Sequence, residues 1–176
     1  IGITKPKWKD EAQGKGIRIE MVSHCEEIPP VAGSASELRE VMTNLVFNAV
    51  EAMPEGGRIE IRTFQKDGKV CIQISDTGIG IKEEVRKKIF EPFFTTKPFS
   101  NTGLGLSMVY GVIKRMRGDI DVESEVGKGT TFTISLPICF EAMEEATSLP
   151  SSPPVIQKKK EVRILVIDDE ESVRSV

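Results

Sequence analysis

The chain has 176 residues, 39% hydrophobic and 29% charged, with a net charge of −3, which suits one packed domain plus a fragment of another and offers no basic surface to nucleic acid. No apolar run approaches the roughly 20 residues that span a bilayer, and no signal peptide opens the chain, so no membrane contact is expected of this segment. Cys25, Cys71 and Cys139 are scattered without a CxxC pair, which argues against a disulfide framework or a zinc site and for a reducing, cytoplasmic setting.

Taken in chain order, Trp8 to Gln13 read as the end of a helix stopped by Gly14 and Gly16, and residues 17–22 alternate apolar and polar like a strand. His24 is the one histidine, so no multi-histidine metal site exists, and no G-x-S-x-G elbow accompanies it for a serine-histidine relay. Pro29-Pro30 break the chain. Ser34-Ala35-Ser36-Glu37 then has the form of a capping box, with Ser34 as N-cap and Glu37 reaching back. The helix that follows carries Leu38, Val41, Met42, Leu45, Val46 and Ala49 on one face and ends before Pro54 and Gly56-Gly57. Residues 58–64 and 69–75 alternate as a hairpin turning at Lys66-Asp67-Gly68, with Ile59, Ile61, Val70, Ile72 and Ile74 as its buried face. A short charged helix is expected at 83–89, an irregular segment rich in Phe, Pro and Thr at 90–102, and a helix from about Gly103 to Arg117 capped by Gly118. A second hairpin, 119–125 with 130–136, closes the domain at Pro137.

Beyond residue 140 the composition changes. Residues 141–161 contain Ser-Leu-Pro-Ser-Ser-Pro-Pro and Lys158-Lys159-Lys160 and read as a linker. The run Val162 to Ile167 is continuously apolar apart from Arg163 and leads into Asp168-Asp169-Glu170-Glu171, which suits a strand buried on both faces of a parallel sheet. The residues to Val176 are too few to complete such a sheet.

Four short motifs carry the chemistry. In the first helix Glu40, Asn44 and Asn48 stand at i, i+4 and i+8 and form one polar stripe. Asparagine prefers caps and turns, so two inside a helix call for a reason. A carboxamide oxygen can ligate Mg2+, a hard cation that binds alongside substrate phosphates; two solvent-facing amides would fit as well. Asp76-x-Gly78-x-Gly80 follows a strand. A carboxylate there can accept a hydrogen bond from the exocyclic amine of adenine and would repel the carbonyl of guanine, while the glycines admit close approach of backbone; a plain Asp-Gly turn has the same residues. Thr102-Gly103-Leu104-Gly105-Leu106 stands where a loop becomes a helix, whose N-terminal N–H groups favour phosphate; it is neither a Walker A loop nor GxGxxG, and an ordinary loop-to-helix joint would look alike. Gly127-Lys128-Gly129-Thr130 is a tight turn that opens the last strand, with the Thr130 hydroxyl able to stand near a base.

In this order the motifs resemble the ATP-binding catalytic domain of sensor histidine kinases, within the wider gyrase, chaperone and kinase ATPase superfamily. The likeness covers residues 1–140: an N box from Glu40 to Ala49, three glycine boxes, and the F box Phe90-Glu91-Pro92-Phe93-Phe94-Thr95-Thr96-Lys97. It implies an α/β two-layer sandwich, a mixed sheet under about three helices, with ATP held between helices and a lid. Asn48 would ligate Mg2+, and Asn44 would lie near the phosphates. Asp76 would read the adenine amine, with Thr130 helping through water. Gly78, Gly80, Thr102, Gly103, Leu104, Gly105 and Leu106 would line the cleft. Residues 82–102 would form the lid, in which five basic residues (Lys82, Arg86, Lys87, Lys88 and Lys97) outnumber three acidic ones, and Lys97 is the candidate for phosphate contact.

Gyrase-type members place a water-activating Glu where Asn44 stands, so the resemblance implies slow hydrolysis and transfer to a histidine on another domain. Some histidine kinases carry a basic residue just after the N box; Val50-Glu51-Ala52 has none, and the sequence looks more like the branch that relies on the F-box lysine. His24-Cys25-Glu26-Glu27-Ile28-Pro29 only superficially echoes an acceptor site, so the acceptor hairpin is expected upstream. Arg163 to Glu170 resembles the first strand of a response-regulator receiver, with Asp168 and Asp169 as its acidic pair; residues 162–176 would be its truncated start and the parent a hybrid kinase. The expected partners are ATP, the dimerisation and acceptor domain, and a receiver or response regulator. An ATP-hydrolysing clamp and a non-catalytic nucleotide sensor are the competing readings.

Overall fold

The computed structural model describes residues 18–96 and 102–139. Residues 1–17, residues 97–101 of the expected lid with Lys97 among them, the expected 141–161 linker and the receiver-like segment 162–176 lie outside them. Five strands form one sheet in the order β1-β2-β3-β5-β4, with β1 Ile19–Cys25, β2 Gly57–Lys66, β3 Lys69–Asp76, β4 Asp119–Glu125 and β5 Gly129–Pro137. The β1–β2 pair is parallel and the other pairs are antiparallel, so the sheet is mixed. Three helices are described: α1 Ala35–Glu51, α2 Glu83–Arg86 and α3 Gly105–Arg115.

A parallel pair needs a crossover, and α1 supplies it between β1 and β2. Its apolar stripe buries Val41, Leu45, Val46 and Ala49, with Leu38 and Met42 partly covered. Val109, Val112 and Ile113 of α3 pack beside them, and both helices cover Ile59, Ile61, Ile72, Ile74, Phe132 and Ile134 of the sheet. Burying each such side chain contributes about 1.5–3 kcal/mol, so this one layer holds the domain together. The two-residue turn Asp67-Gly68 has φ of 50° and 72°, the left-handed pair that matches strand twist in a tight hairpin.

Three expectations need correction. The first strand runs to Cys25 rather than ending at 22, because pairing with β2 from Ile19↔Gly57 to Cys25↔Thr63 extends it. The capping box is half formed: Ser34 Oγ accepts from Glu37 N–H at 3.4 Å, but the Glu37 carboxylate instead meets Arg115 Nη2 at 2.6 Å, tying the start of α1 to the end of α3. The short charged helix spans Glu83–Arg86 only.

The end of α3 is also different from the simple glycine cap. Gly118 N–H donates to Ile113 O at 2.9 Å and Arg117 N–H to Lys114 O at 3.0 Å, the double closure of a Schellman motif. The left-handed residue is Arg117, with φ 56°. Gly118 is needed for space, since a Cβ there would lie 2.7 Å from Ser135 O and Leu136 Cδ2. Arg117→Gly is therefore expected to raise unfolding stability by about 1 kcal/mol, read from denaturant melts; a loss would refute the strain.

Among the described residues, no helix is long and apolar enough to cross a membrane.

Candidate nucleotide site

A cavity of about 490 Å³ opens between α1, the α2 region, the N-terminus of α3 and the ends of β3 and β5. That volume is in the range of small-molecule sites. It gathers Asn44, Asn48, Asp76, Gly80, Thr102, Gly103, Gly105, Leu106 and Thr130, residues drawn from all four motifs.

Asp76 ends β3 opposite Thr130 of β5. It is 9% exposed, and its Oδ1 accepts the Gly78 N–H at 2.8 Å. Burial raises its carboxyl above the ordinary aspartate value, while the backbone N–H groups of Gly78 and Thr130 pull it back down. A buried carboxylate with open acceptor capacity facing a cavity suits a ligand that brings its own N–H. Gly78 is off the lining. Its place is against the end of α1, where a Cβ would lie 2.5 Å from Ala52 O, so its function here is to let the turn close on Asp76.

On α1, Asn44 Nδ2 donates to Glu40 O at 3.0 Å, which holds its amide in place. Its Oδ1 faces Gly105, where a Cβ would stand 2.9 Å away. Gly105 is thus the residue that lets α3 begin beside the asparagine. Leu104 is the N-cap of α3 and has no side-chain acceptor, so the first-turn N–H groups receive no side-chain cap. Leu104 is 41% exposed and stands outside the lining. An 11-residue helix beginning at the cavity with such a start favours an anion.

His24 is on β1, with Nε2 3.6 Å from Glu60 Oε1, away from the cavity. It is an exposed residue of the first strand.

The apolar wall lies outside the four motifs. Ile81, Val85 and Ile89 line it at i, i+4 and i+8, and Phe132 stands two residues from Thr130 on the same face of β5. Their signal was present: an apolar stripe at helical spacing through a charged segment, and the alternation of a strand. Arg86 fastens this wall to the sheet, with Nη2 2.6 Å from Glu83 Oε2 and Nη1 donating to Val122 O at 3.3 Å.

This mixed sheet covered on one face by helices has the architecture of histidine kinase catalytic domains. It matches the catalytic domain of histidine kinase ThkA with TM-score 0.65 and 31% identity, covering 76% of this chain and 87% of that one. The chain belongs to the family of histidine kinase-, DNA gyrase B- and HSP90-like ATPases, whose model matches residues 33–139. It is also similar to full-length ShkA, a structure in complex with AMPPNP, with TM-score 0.65 and 29% identity over 77% of this chain and 29% of that one. Sensor kinase CckA of Brucella abortus (strain 2308) is 40% identical over 187 residues, 92% of this chain and 19% of CckA. The chain thus spans about a fifth of that relative's length.

Proposed function

We propose that the chain binds ATP with Mg2+ in this cavity and donates the γ-phosphoryl group to a histidine on a separate dimerisation domain, in two-component signalling. The observation that carries the reading is the convergence in one cavity of a buried carboxylate, two helix carboxamides and a helix N-terminus with no side-chain cap.

Each residue has a part in this reading. Asp76 accepts from the adenine amine, and Thr130 supports it through water. Ile81, Val85, Ile89 and Phe132 supply an apolar wall for the base. The first turn of α3 receives phosphate, and Lys97 of the F box adds charge to it. Asn48 offers a carboxamide oxygen to Mg2+, with Asn44 beside the phosphates. Among the described residues no three His, Cys, Asp or Glu side chains cluster as a metal site, so the cation would draw its other ligands from phosphate and water, the usual habit of Mg2+. When bound it would neutralise charge on the polyphosphate.

Asn44 stands where gyrase-type relatives carry their general base, and a carboxamide does not take a proton from water. Transfer to a positioned imidazole, with an N–P bond forming as the bond to ADP breaks, suits the site better than hydrolysis. Residues 162–176, with Asp168 and Asp169, fit the opening of a receiver domain, which makes the parent a hybrid kinase and a receiver its next phosphoryl partner. A domain that spends ATP and keeps free thiols belongs in the cytoplasm, whether or not the parent is tethered to a membrane.

The test mixes this chain with a separately produced acceptor hairpin and γ-labelled ATP. Label on histidine supports the reading. Free phosphate alone would favour a hydrolysing clamp, with Glu51, a lining carboxylate of α1, as the base to replace next. Tight ATP binding with neither product would leave a nucleotide sensor.

A further inference from the structure

Three neighbouring strands place three polar side chains in one row. Asp76 of β3 is paired with Thr130 of β5, and Thr130 with Ser124 of β4. Asp76 and Thr130 line the cavity, while Ser124 stands behind Thr130, outside the lining. Ser124 Oγ donates to Gly129 O at 2.9 Å and accepts the Ile81 N–H at 2.8 Å. Thr130 Oγ1 lies 3.0 Å from Ser124 Oγ.

A serine hydroxyl has one proton and two lone pairs. The proton of Ser124 is spent on Gly129, and one lone pair on Ile81. With the Ser124 proton on the Gly129 carbonyl, which can only accept, the contact with Thr130 uses the remaining lone pair of Ser124 and the proton of Thr130. Thr130 is 5% exposed, and its hydroxyl then turns only lone pairs to the cavity. Beside it the Asp76 carboxylate is an acceptor as well.

We propose that Ser124 is a specificity-determining positioning residue: by holding the Thr130 proton it fixes Thr130 as an acceptor, so that Asp76 and Thr130 together select a base edge bearing an amino group. The polarity is the same for a direct contact and for a bridging water, because a water shared by two acceptors spends a proton on each. A base with a carbonyl oxygen in place of that amine sets the oxygen against the lone pairs of Asp76 and Thr130. Without Ser124 the Thr130 hydroxyl can rotate and donate to such an oxygen, and discrimination falls. The inference rests on the ATP reading of the cavity and adds to it a residue that touches no ligand.

The test compares ATP with inosine triphosphate, which carries a carbonyl where ATP carries the amine. Affinities are measured by calorimetry for the full chain and its variants. Ser124→Ala is expected to lower the ATP-to-inosine preference roughly three- to tenfold, the worth of one hydrogen bond. Ser124→Thr keeps the hydroxyl and should keep the preference. In a Thr130→Val background Ser124→Ala should change the preference no further, since the two residues act as one unit. A merely structural part for Ser124 would weaken both nucleotides together and leave the preference intact; that result overturns the proposal. Should Ser124→Ala not fold, Ser124→Cys keeps the volume while offering a poor acceptor, and an unchanged preference there overturns it equally. Wild-type chain that binds neither nucleotide would instead sink the ATP reading itself, and the inference with it.

Discussion

Asp76→Asn is expected to weaken ATP binding by roughly ten- to a hundredfold while the domain stays folded. The loss follows from replacing a charged acceptor by a neutral amide whose NH2 face repels the adenine amine, and a hydrogen bond to a charged group is worth about 1.5–3 kcal/mol. Stability moves the other way. Burial raises the Asp76 carboxyl above its ordinary value. A raised carboxyl binds its proton more tightly in the folded state than in the unfolded one. Folding stability therefore falls as pH rises from the unfolded value through the folded one, and the ionised group is a cost above that window. Asparagine removes the cost and keeps an oxygen for the Gly78 N–H, which reaches Asp76 at 2.8 Å. The variant should melt at the same or a higher temperature at neutral pH and show less destabilisation across that acidic window. Unchanged ATP affinity by calorimetry would remove Asp76 from the base site.

Asn48→Ala is expected to reduce phosphoryl transfer to an added acceptor hairpin by roughly a hundredfold or more, the scale of losing a protein ligand to a catalytic metal. Asn48 lies on the partly exposed side of α1, next to the buried Ala49, so the core is untouched and melting should change little. Asn48→Asp puts a full charge where an amide stood and should also fail in transfer. The measurement is transfer rate against Mg2+ concentration. Wild-type rates at every concentration would refute the metal role, and a rate restored at high Mg2+ would support it.

Much of this was legible from residue order. The hydrophobic periods of α1, α3 and the two hairpins announced their elements, because each buries one face against a single shared core. The polar stripe of Asn44 and Asn48 was visible for the complementary reason: at i and i+4 it stands beside the apolar face of the same helix. The glycine boxes were visible as punctuation, but not their separate duties. Gly105 makes room for Asn44, whereas Gly78 packs on the end of α1 and is off the lining. Glu37 shows the limit of a local rule, since a capping box is written within four residues and Arg115, 78 positions away, competes for the carboxylate.

The sequence by itself determined the elements, the apolar faces and the four motifs, since helix and strand periods and turn residues are local physics. It also determined the absence of a glutamate at position 44. The tertiary structure decided what no local rule reaches. Pairing with β2 extended β1 to Cys25, and the order β3-β5-β4 set Asp76, Thr130 and Ser124 in one row. Ser124 lies 48 residues beyond Asp76 along the chain, with nothing local to mark it. Only strand register makes it the neighbour that spends the Thr130 proton, because hydrogen-bond valence is settled by what meets in space.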